Sequence, residues 1–191
     1  MSGALVLLGI IAFLVVMFVA IYNGLVTKRV ATENAWSQID VQLKRRHDLI
    51  PNLVETVKGY ASHEKETLER VIQARNSAVA ASNAHNVHDQ IQAENMLSGA
   101  LRQIFALSES YPDLKANQNF LSLQEELTST ENRIGFARQH YNDSVATFNT
   151  AIETIPANIV AGIGGFKKRE FFELDPEEAK QAKQPPRVAF S

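Results

Sequence analysis

An unbroken apolar run near the N-terminus constrains this chain more than any other feature. Residues 4–21, ALVLLGIIAFLVVMFVAI, contain no charged or hydrogen-bonding side chain. As a helix, 18 residues extend about 27 Å, close to the hydrocarbon thickness of about 30 Å. The run therefore predicts an N-terminal transmembrane anchor over residues 1–21, with membrane lipid as its partner.

Two other interpretations of the run are weaker. A cleaved signal peptide needs basic residues before the apolar stretch and a small-residue cleavage site after it, and the sequence offers neither in good form. A buried core helix rarely lacks every polar group. Tyr22, Lys28 and Arg29 follow the run, as membrane-interface residues would. The single run predicts a single-pass protein of the cell (plasma or inner) membrane, and the positive charges of Lys28 and Arg29 predict that the bulk of the chain is in the cytoplasm.

Helical periodicity dominates the next part of the chain. Apolar residues recur at spacings of three and four from residue 22 to residue 155, without alternation typical of strands. The pattern predicts an all-α fold in which an antiparallel four-helix bundle of long helices, residues 22–155, follows the anchor. The expected helices span residues 22–49, 52–80, 88–110 and 116–154. Two very long helices, kinked at Pro51 and near Pro112 and forming a coiled-coil hairpin, are the alternative.

The C-terminal tail, residues 156–191, is too apolar to be freely solvated. Phe166, Phe171 and Phe172 lie in it around a basic segment. We expect the tail to dock on the bundle, on another subunit or on the membrane. A short helix is expected to begin at Asp175, where a capping residue precedes a proline.

Three charged residues fall on or beside the apolar stripes, namely Arg46, Glu64 and Arg138. They are candidate interaction residues, either as buried ion pairs that fix register or as stripe-edge residues whose long stems reach water. In a hairpin turning at Pro51, Arg46 and Glu64 lie too far apart to pair. Each would then need a third helix or a second subunit.

Signals for catalysis and for cofactors are missing from the sequence. The chain has no cysteine, and its net charge of −2 provides no basic field for nucleic acid. His63-Glu64 begins like a zinc-protease helix, but position 67 is Thr instead of the second His. His85, His88 and Asp89 lack a fourth ligand. We expect no enzyme, no catalytic or metal site, and no cofactor.

Several long strings of residues are distinctive. They are YNGLV (22–26), AWSQIDVQLKRR (35–46), DLIPNLV (48–54), VKGYA (57–61), YPDLKAN (111–117) and TENRI (130–134). These strings resemble the LemA family. The resemblance covers nearly the whole chain and implies a membrane-anchored helical bundle of the four-helix type, in a bacterium-like cell and without assigned catalytic activity.

These observations favour a non-enzymatic scaffold, assembly or interaction module at the bacterial plasma membrane. The charged residues on stripes and the aromatic tail suggest a homo-oligomer. An accessory subunit that positions another membrane protein, such as an enzyme, protease or transporter, is the alternative.

Overall fold

The computed structural model describes residues 2–84 and 86–172, and this part of the chain is all-α without strands. The apolar N-terminal run lies in the longest helix. The predicted all-α class is thus confirmed. The helices are α1 (Ser2–Lys58), α2 (Lys65–Asn83), α3 (Val87–Ser108), α4 (Pro112–Lys115), α5 (Gln118–Glu153) and α6 (Ala157–Ile163).

The described residues divide into two compact units, and both α1 and α5 contribute to each unit. The first unit contains the residues up to Ile39 and Gly135–Phe171, and the second contains Asp40–Ile134 with Phe172. The helix predicted to begin at Asp175 lies outside the described residues.

The second unit is built around one apolar core to which five helices contribute. The periodic apolar residues predicted from the sequence form this core, because spacings of three and four place them on one helix face. Its fully buried members include Ile50 and Leu53 of α1, Val71 of α2, Leu97 and Ile104 of α3, Leu114 of α4 and Phe120 of α5.

The predicted helix break at Pro51 is wrong, because α1 continues through this proline to Lys58. A proline in a helix leaves the carbonyl four residues earlier without its backbone donor. That carbonyl belongs to His47, and the Nε of Arg75 donates a hydrogen bond to it at 3.2 Å. A side chain from α2 thus replaces the missing donor. The chain turns instead after Lys58, and α2 begins at Lys65 instead of at residue 52.

The other predicted breaks agree with the structure. Asn86 caps α3, and its side-chain oxygen accepts hydrogen bonds from the backbone N–H groups of His88 and Asp89. Pro112 begins α4, where the lack of an N–H costs no helical hydrogen bond. The last long helix ends at Glu153, before Pro156.

The first unit pairs the N-terminal part of α1 with the C-terminal part of α5. Trp36 packs edge-on against Tyr141, whereas Leu25 shares a core with Phe148. The contact with the lower residue number on α1, Leu25, is made by the residue with the higher number on α5, Phe148, so the two helices are antiparallel here. Helix α6 follows α5 and adds Val160 to the same core.

Candidate functional site

The apolar segment of α1, residues 4–21, is the first candidate functional feature. Its large side chains are exposed, including Leu8 and Phe13. Within residues 2–84 and 86–172, α1 is the one helix long and apolar enough to cross a membrane. Exposed apolar side chains in a continuous helix suit a lipid environment, where each backbone group is satisfied inside the helix.

The three predicted interface residues lie in the part of α1 that directly follows this segment. The ring of Tyr22 packs edge-on against Phe166, with centroids 5.5 Å apart. The guanidinium carbon of Arg29 lies 5.4 Å from the centroid of the same Phe166 ring, within cation–π range. Lys28 is partly buried. Phe166, which precedes the basic segment of the tail, is therefore held by residues expected at the membrane surface.

The tail phenylalanines occupy three different environments. Phe166 is partly buried and also packs edge-on against Phe148 of α5 at 6.3 Å. Phe171 is exposed, and Phe172 is buried. Of these three phenylalanines, only Phe171 is therefore exposed to solvent, whereas the sequence predicted docking of the tail as a whole.

Hydrogen bonds fix the tail between Phe166 and Phe171 onto the first unit. Asn149 donates through Nδ2 to the carbonyl of Arg169 and accepts through Oδ1 from the Arg169 backbone N–H, both at 2.9 Å. The Arg169 guanidinium also donates to Glu33 of α1 at 2.6 Å. Sequence reasoning missed Asn149 and Glu33, because nothing in the sequence links them to a residue in the tail.

The hydroxyl of Tyr141 donates a hydrogen bond to the carbonyl of Glu170 at 2.9 Å. Burial raises the pKa of this phenol; the nearby Arg169 charge lowers it, and the Glu170 charge raises it. The net pKa lies above the usual 10.0, so the hydroxyl remains a donor at neutral pH. This bond anchors the tail on α5.

Arg46 lies at the centre of a buried charge cluster in the second unit. The residue is 2 % exposed, and its guanidinium donates to Glu94 of α3, to Glu131 of α5 and to Ser98 Oγ at 3.0 Å. His47 Nε2 lies 2.6 Å from the other oxygen of Glu94. The sequence left a third helix or a second subunit as the source of a partner; the structure provides Glu94 on α3 and Glu131 on α5 of the same chain.

Electrostatics keep the buried carboxylate of the cluster ionised. Burial by itself raises the pKa of Glu94, but the hydrogen bond with His47 and the charge of Arg46 outweigh it. The net pKa of Glu94 therefore lies below its usual 4.5. A general acid working near neutrality needs a raised carboxyl pKa, so the shift of Glu94 is typical of a structural ion pair.

A cleft of about 190 Å³ opens beside this cluster. Its lining combines apolar residues of α3 and α5, such as Leu101 and Leu127, with Arg46 and Ser98. Because Arg46 is already bonded to two carboxylates, its charge is neutralised within the chain. The cleft is therefore mainly apolar, with a compensated charge at one side.

Glu64 and Arg138 are the remaining charged candidates. Glu64 is partly buried and accepts a hydrogen bond from the hydroxyl of Tyr111 at 3.0 Å. That bond, together with burial and the Glu64 charge, raises the pKa of Tyr111. Arg138 is partly buried in the first unit. Arg46 and Glu64 therefore take part in separate hydrogen-bond networks.

Potential metal ligands are dispersed across the described part of the chain, where no three His, Cys, Asp or Glu residues are grouped to hold an ion. On the exposed first turn of α3, His88 Nδ1 lies 3.5 Å from Asp89 Oδ1. His85 lies outside the described residues.

Comparison with known proteins adds family information to this geometry. The LemA family model matches residues 35–190. Protein LemA of Metamycoplasma hominis is 31 % identical over 147 residues, which cover 76 % of this chain and 65 % of that protein. The magnetosome protein MamQ of Magnetospirillum gryphiswaldense is 26 % identical over 196 residues, covering 91 % of this chain and 72 % of the relative. MamQ 2 of Paramagnetospirillum magneticum is 25 % identical over 192 residues, covering 88 % and 70 %.

Proposed function

The chain belongs to the LemA family, and from this membership we propose that it is a non-enzymatic, single-pass membrane protein. In this proposal it acts as a scaffold or assembly module and associates with further copies of itself. The exposed apolar segment of α1, which continues without a break into the helix that packs against α5, is the observation that carries the proposal.

Membrane insertion of residues 4–21 would remove from water the largest exposed apolar surface among the described residues. Each buried apolar side chain contributes about 1.5–3 kcal/mol, which makes insertion strongly favourable. Lys28 and Arg29 on the C-terminal side favour a cytoplasmic location for the remaining chain. The proposed location is the bacterial plasma membrane.

The non-enzymatic part of the proposal is supported by the buried charge cluster. Arg46 and Glu94 neutralise each other, and the pKa of Glu94 is lowered instead of raised. Segments of the four longer helices α1, α2, α3 and α5, together with the short α4, surround the core of the second unit and support an antiparallel four-helix arrangement as a rigid platform. Such a platform presents surfaces for binding.

Self-association gains its support from exposed apolar side chains, since the buried Arg46 already has partners within the chain. Phe136 on α5 is 74 % exposed, which is unusual for so large an aromatic residue. In a homo-oligomer its ring would be buried against a second copy. Val41 and Met96 offer further exposed apolar contacts on the second unit.

Light scattering on the detergent-solubilised full chain tests this proposal. We expect a protein mass that is a multiple of the chain mass of 21.2 kDa. Phe136→Ser should reduce that mass, whereas the control Phe171→Ser, which also removes an exposed phenylalanine, should leave it unchanged. A monomeric wild type would reject self-assembly.

Crosslinking in native membranes separates self-assembly from the alternative of an accessory subunit. Self-assembly predicts adducts composed mostly of this chain. An adduct dominated by one other membrane polypeptide would instead favour a protein that positions an enzyme, protease or transporter. MamQ relatives are named as proteins of the magnetosome, which is compatible with membership in a larger assembly.

A further inference from the structure

Helix α6 is amphipathic, and only one of its faces is covered in the first unit. Val160 and Ala161 are buried in the core that also contains Leu25 of α1. The opposite face carries two exposed isoleucines four residues apart, which places them on one stripe. They are Ile159 and Ile163, 62 % and 71 % exposed, and Ile155 in the turn before α6 is 83 % exposed.

The position of α6 along α1 indicates what covers this stripe. Its packing partners on α1 include Ile21, the last residue of the apolar segment, and Leu25, one turn later. A Cβ atom placed on Gly164, which follows α6, would lie only 3.1 Å from the ring of Tyr22. Helix α6 therefore lies beside the turn of α1 that directly follows the apolar segment.

This level corresponds to the headgroup region of a bilayer when residues 4–21 cross the hydrocarbon. From Ile21 to Leu25, α1 rises only about 6 Å. The polar zone of a bilayer is about 5–7 Å thick on each side, given total and hydrocarbon thicknesses of about 40–45 and 30 Å. A helix in that zone can bury an apolar face at the boundary with the acyl chains.

Basic residues lie close to α6 along the chain of the first unit. Lys28 and Arg29 lie on α1 about two turns after Ile21, and Lys167 and Lys168 lie four and five residues after the end of α6. Lys167 is exposed, and Lys168 forms an ion pair with Glu153 at the end of α5. Apolar residues combined with nearby cations match the chemistry of an anionic lipid surface.

We propose that α6 is an interfacial helix that inserts the stripe of Ile159 and Ile163 into the same bilayer that the N-terminal helix crosses. This inference rests on the proposed membrane insertion of residues 4–21. It adds a second membrane contact, which fixes the orientation of the first unit at the lipid surface. The tail thus contacts the membrane through α6 and the protein through Phe166.

Site-directed spin labelling tests the proposal directly, because the chain has no native cysteine. Single variants Ile159→Cys and Ile163→Cys of the full chain are labelled and reconstituted into vesicles of phosphatidylcholine and phosphatidylglycerol. Leu8→Cys reports the depth of the apolar segment, and Ser37→Cys provides an exposed position on α1 about 24 Å beyond Ile21. Collision rates with oxygen and with a water-soluble nickel complex give the depth of each label.

We expect the depth parameter to be positive at 159 and 163, larger at position 8, and negative at 37. Water-exposed labels at 159 and 163 with a deep label at 8 would overturn the interfacial helix and leave the proposed membrane anchor intact. A water-exposed label at 8 would overturn both. Labels at 159 and 163 that are shielded from both reagents and broadened by spin–spin coupling would show a second copy on the stripe, which also overturns the proposal.

A second pair of variants tests whether the isoleucines themselves hold α6 in the lipid. With the label at position 163, Ile159→Asp should shift the depth parameter toward its aqueous value. Asn158→Asp introduces the same charge at the neighbouring exposed position, outside the stripe, and should shift it less. Equal shifts, or no shift with Ile159→Asp, would contradict insertion through this stripe.

Discussion

Replacing Glu94 by Gln tests the buried charge cluster of the second unit. The substitution keeps the size of the side chain but removes the negative charge that faces Arg46 and His47. The side chains of Arg46 and Glu94 are each only 3 % exposed. Water therefore cannot replace the lost partner of Arg46.

The expected loss in the free energy of unfolding depends on the hydrogen bonds that Arg46 retains in the variant. Removing one partner of a buried ion pair costs about 3–5 kcal/mol. Arg46 still bonds Glu131, whose side chain is 40 % exposed, and Ser98. These remaining bonds place the expected loss in the free energy of unfolding at the lower end, ~3 kcal/mol.

Glu126→Gln is the matched control. Glu126 lies 3.9 Å from Arg45, and the two side chains are 47 % and 53 % exposed. Such exposed pairs contribute about 0–1 kcal/mol. Urea unfolding of the detergent-solubilised full chain, followed by far-UV circular dichroism, compares both variants with the wild type. A loss for Glu94→Gln that equals the loss for Glu126→Gln would refute the assignment of a structural role to the buried pair.

Three further predictions concern the Glu94 carboxylate, the hydrogen bond from Arg75 to the His47 carbonyl, and the attachment of the tail. Because the pKa of Glu94 is lowered, its contribution to stability is complete above about pH 4.5 and is lost as the pH falls below that value; acid titration of Glu94→Gln should show a shallower loss of helicity than wild type. Arg75→Met should cost ~1–2 kcal/mol by leaving the His47 carbonyl without a donor, and much less in a Pro51→Ala background, where residue 51 regains its N–H; equal losses in urea unfolding would contradict the donor replacement. Asn149→Ala should lose two tail hydrogen bonds of ~1 kcal/mol each and speed trypsin cleavage after Lys167, whereas unchanged cleavage would mean that Asn149 does not hold the tail.

Periodicity and hydropathy were sufficient to predict the helical class, the apolar segment and the core residues. A stripe such as Leu97 and Ile104 depends only on local spacing, so the sequence reveals which face is buried. Pro112 and Pro156 were also informative, since each lies where the chain leaves a helix. These features depend on residues that are close in sequence.

Contacts between distant residues could not be predicted in the same way. Pro51 suggested a break because nothing local shows that Arg75 would supply a donor to the His47 carbonyl. The burial of Arg46 was foreseen as one option, but its pairing with Glu94 depends on the register of α3 against α1. Both outcomes are set by packing between helices.

The intact mass of the chain recovered from alkali-washed membranes tests membrane attachment through residues 4–21 most directly. We predict that the chain remains in the membrane pellet with its full mass of 21.2 kDa, with or without the initiator methionine. Release of the chain into the alkaline supernatant would contradict a retained transmembrane helix. A chain absent from the pellet and shortened near Tyr22 would contradict it as well.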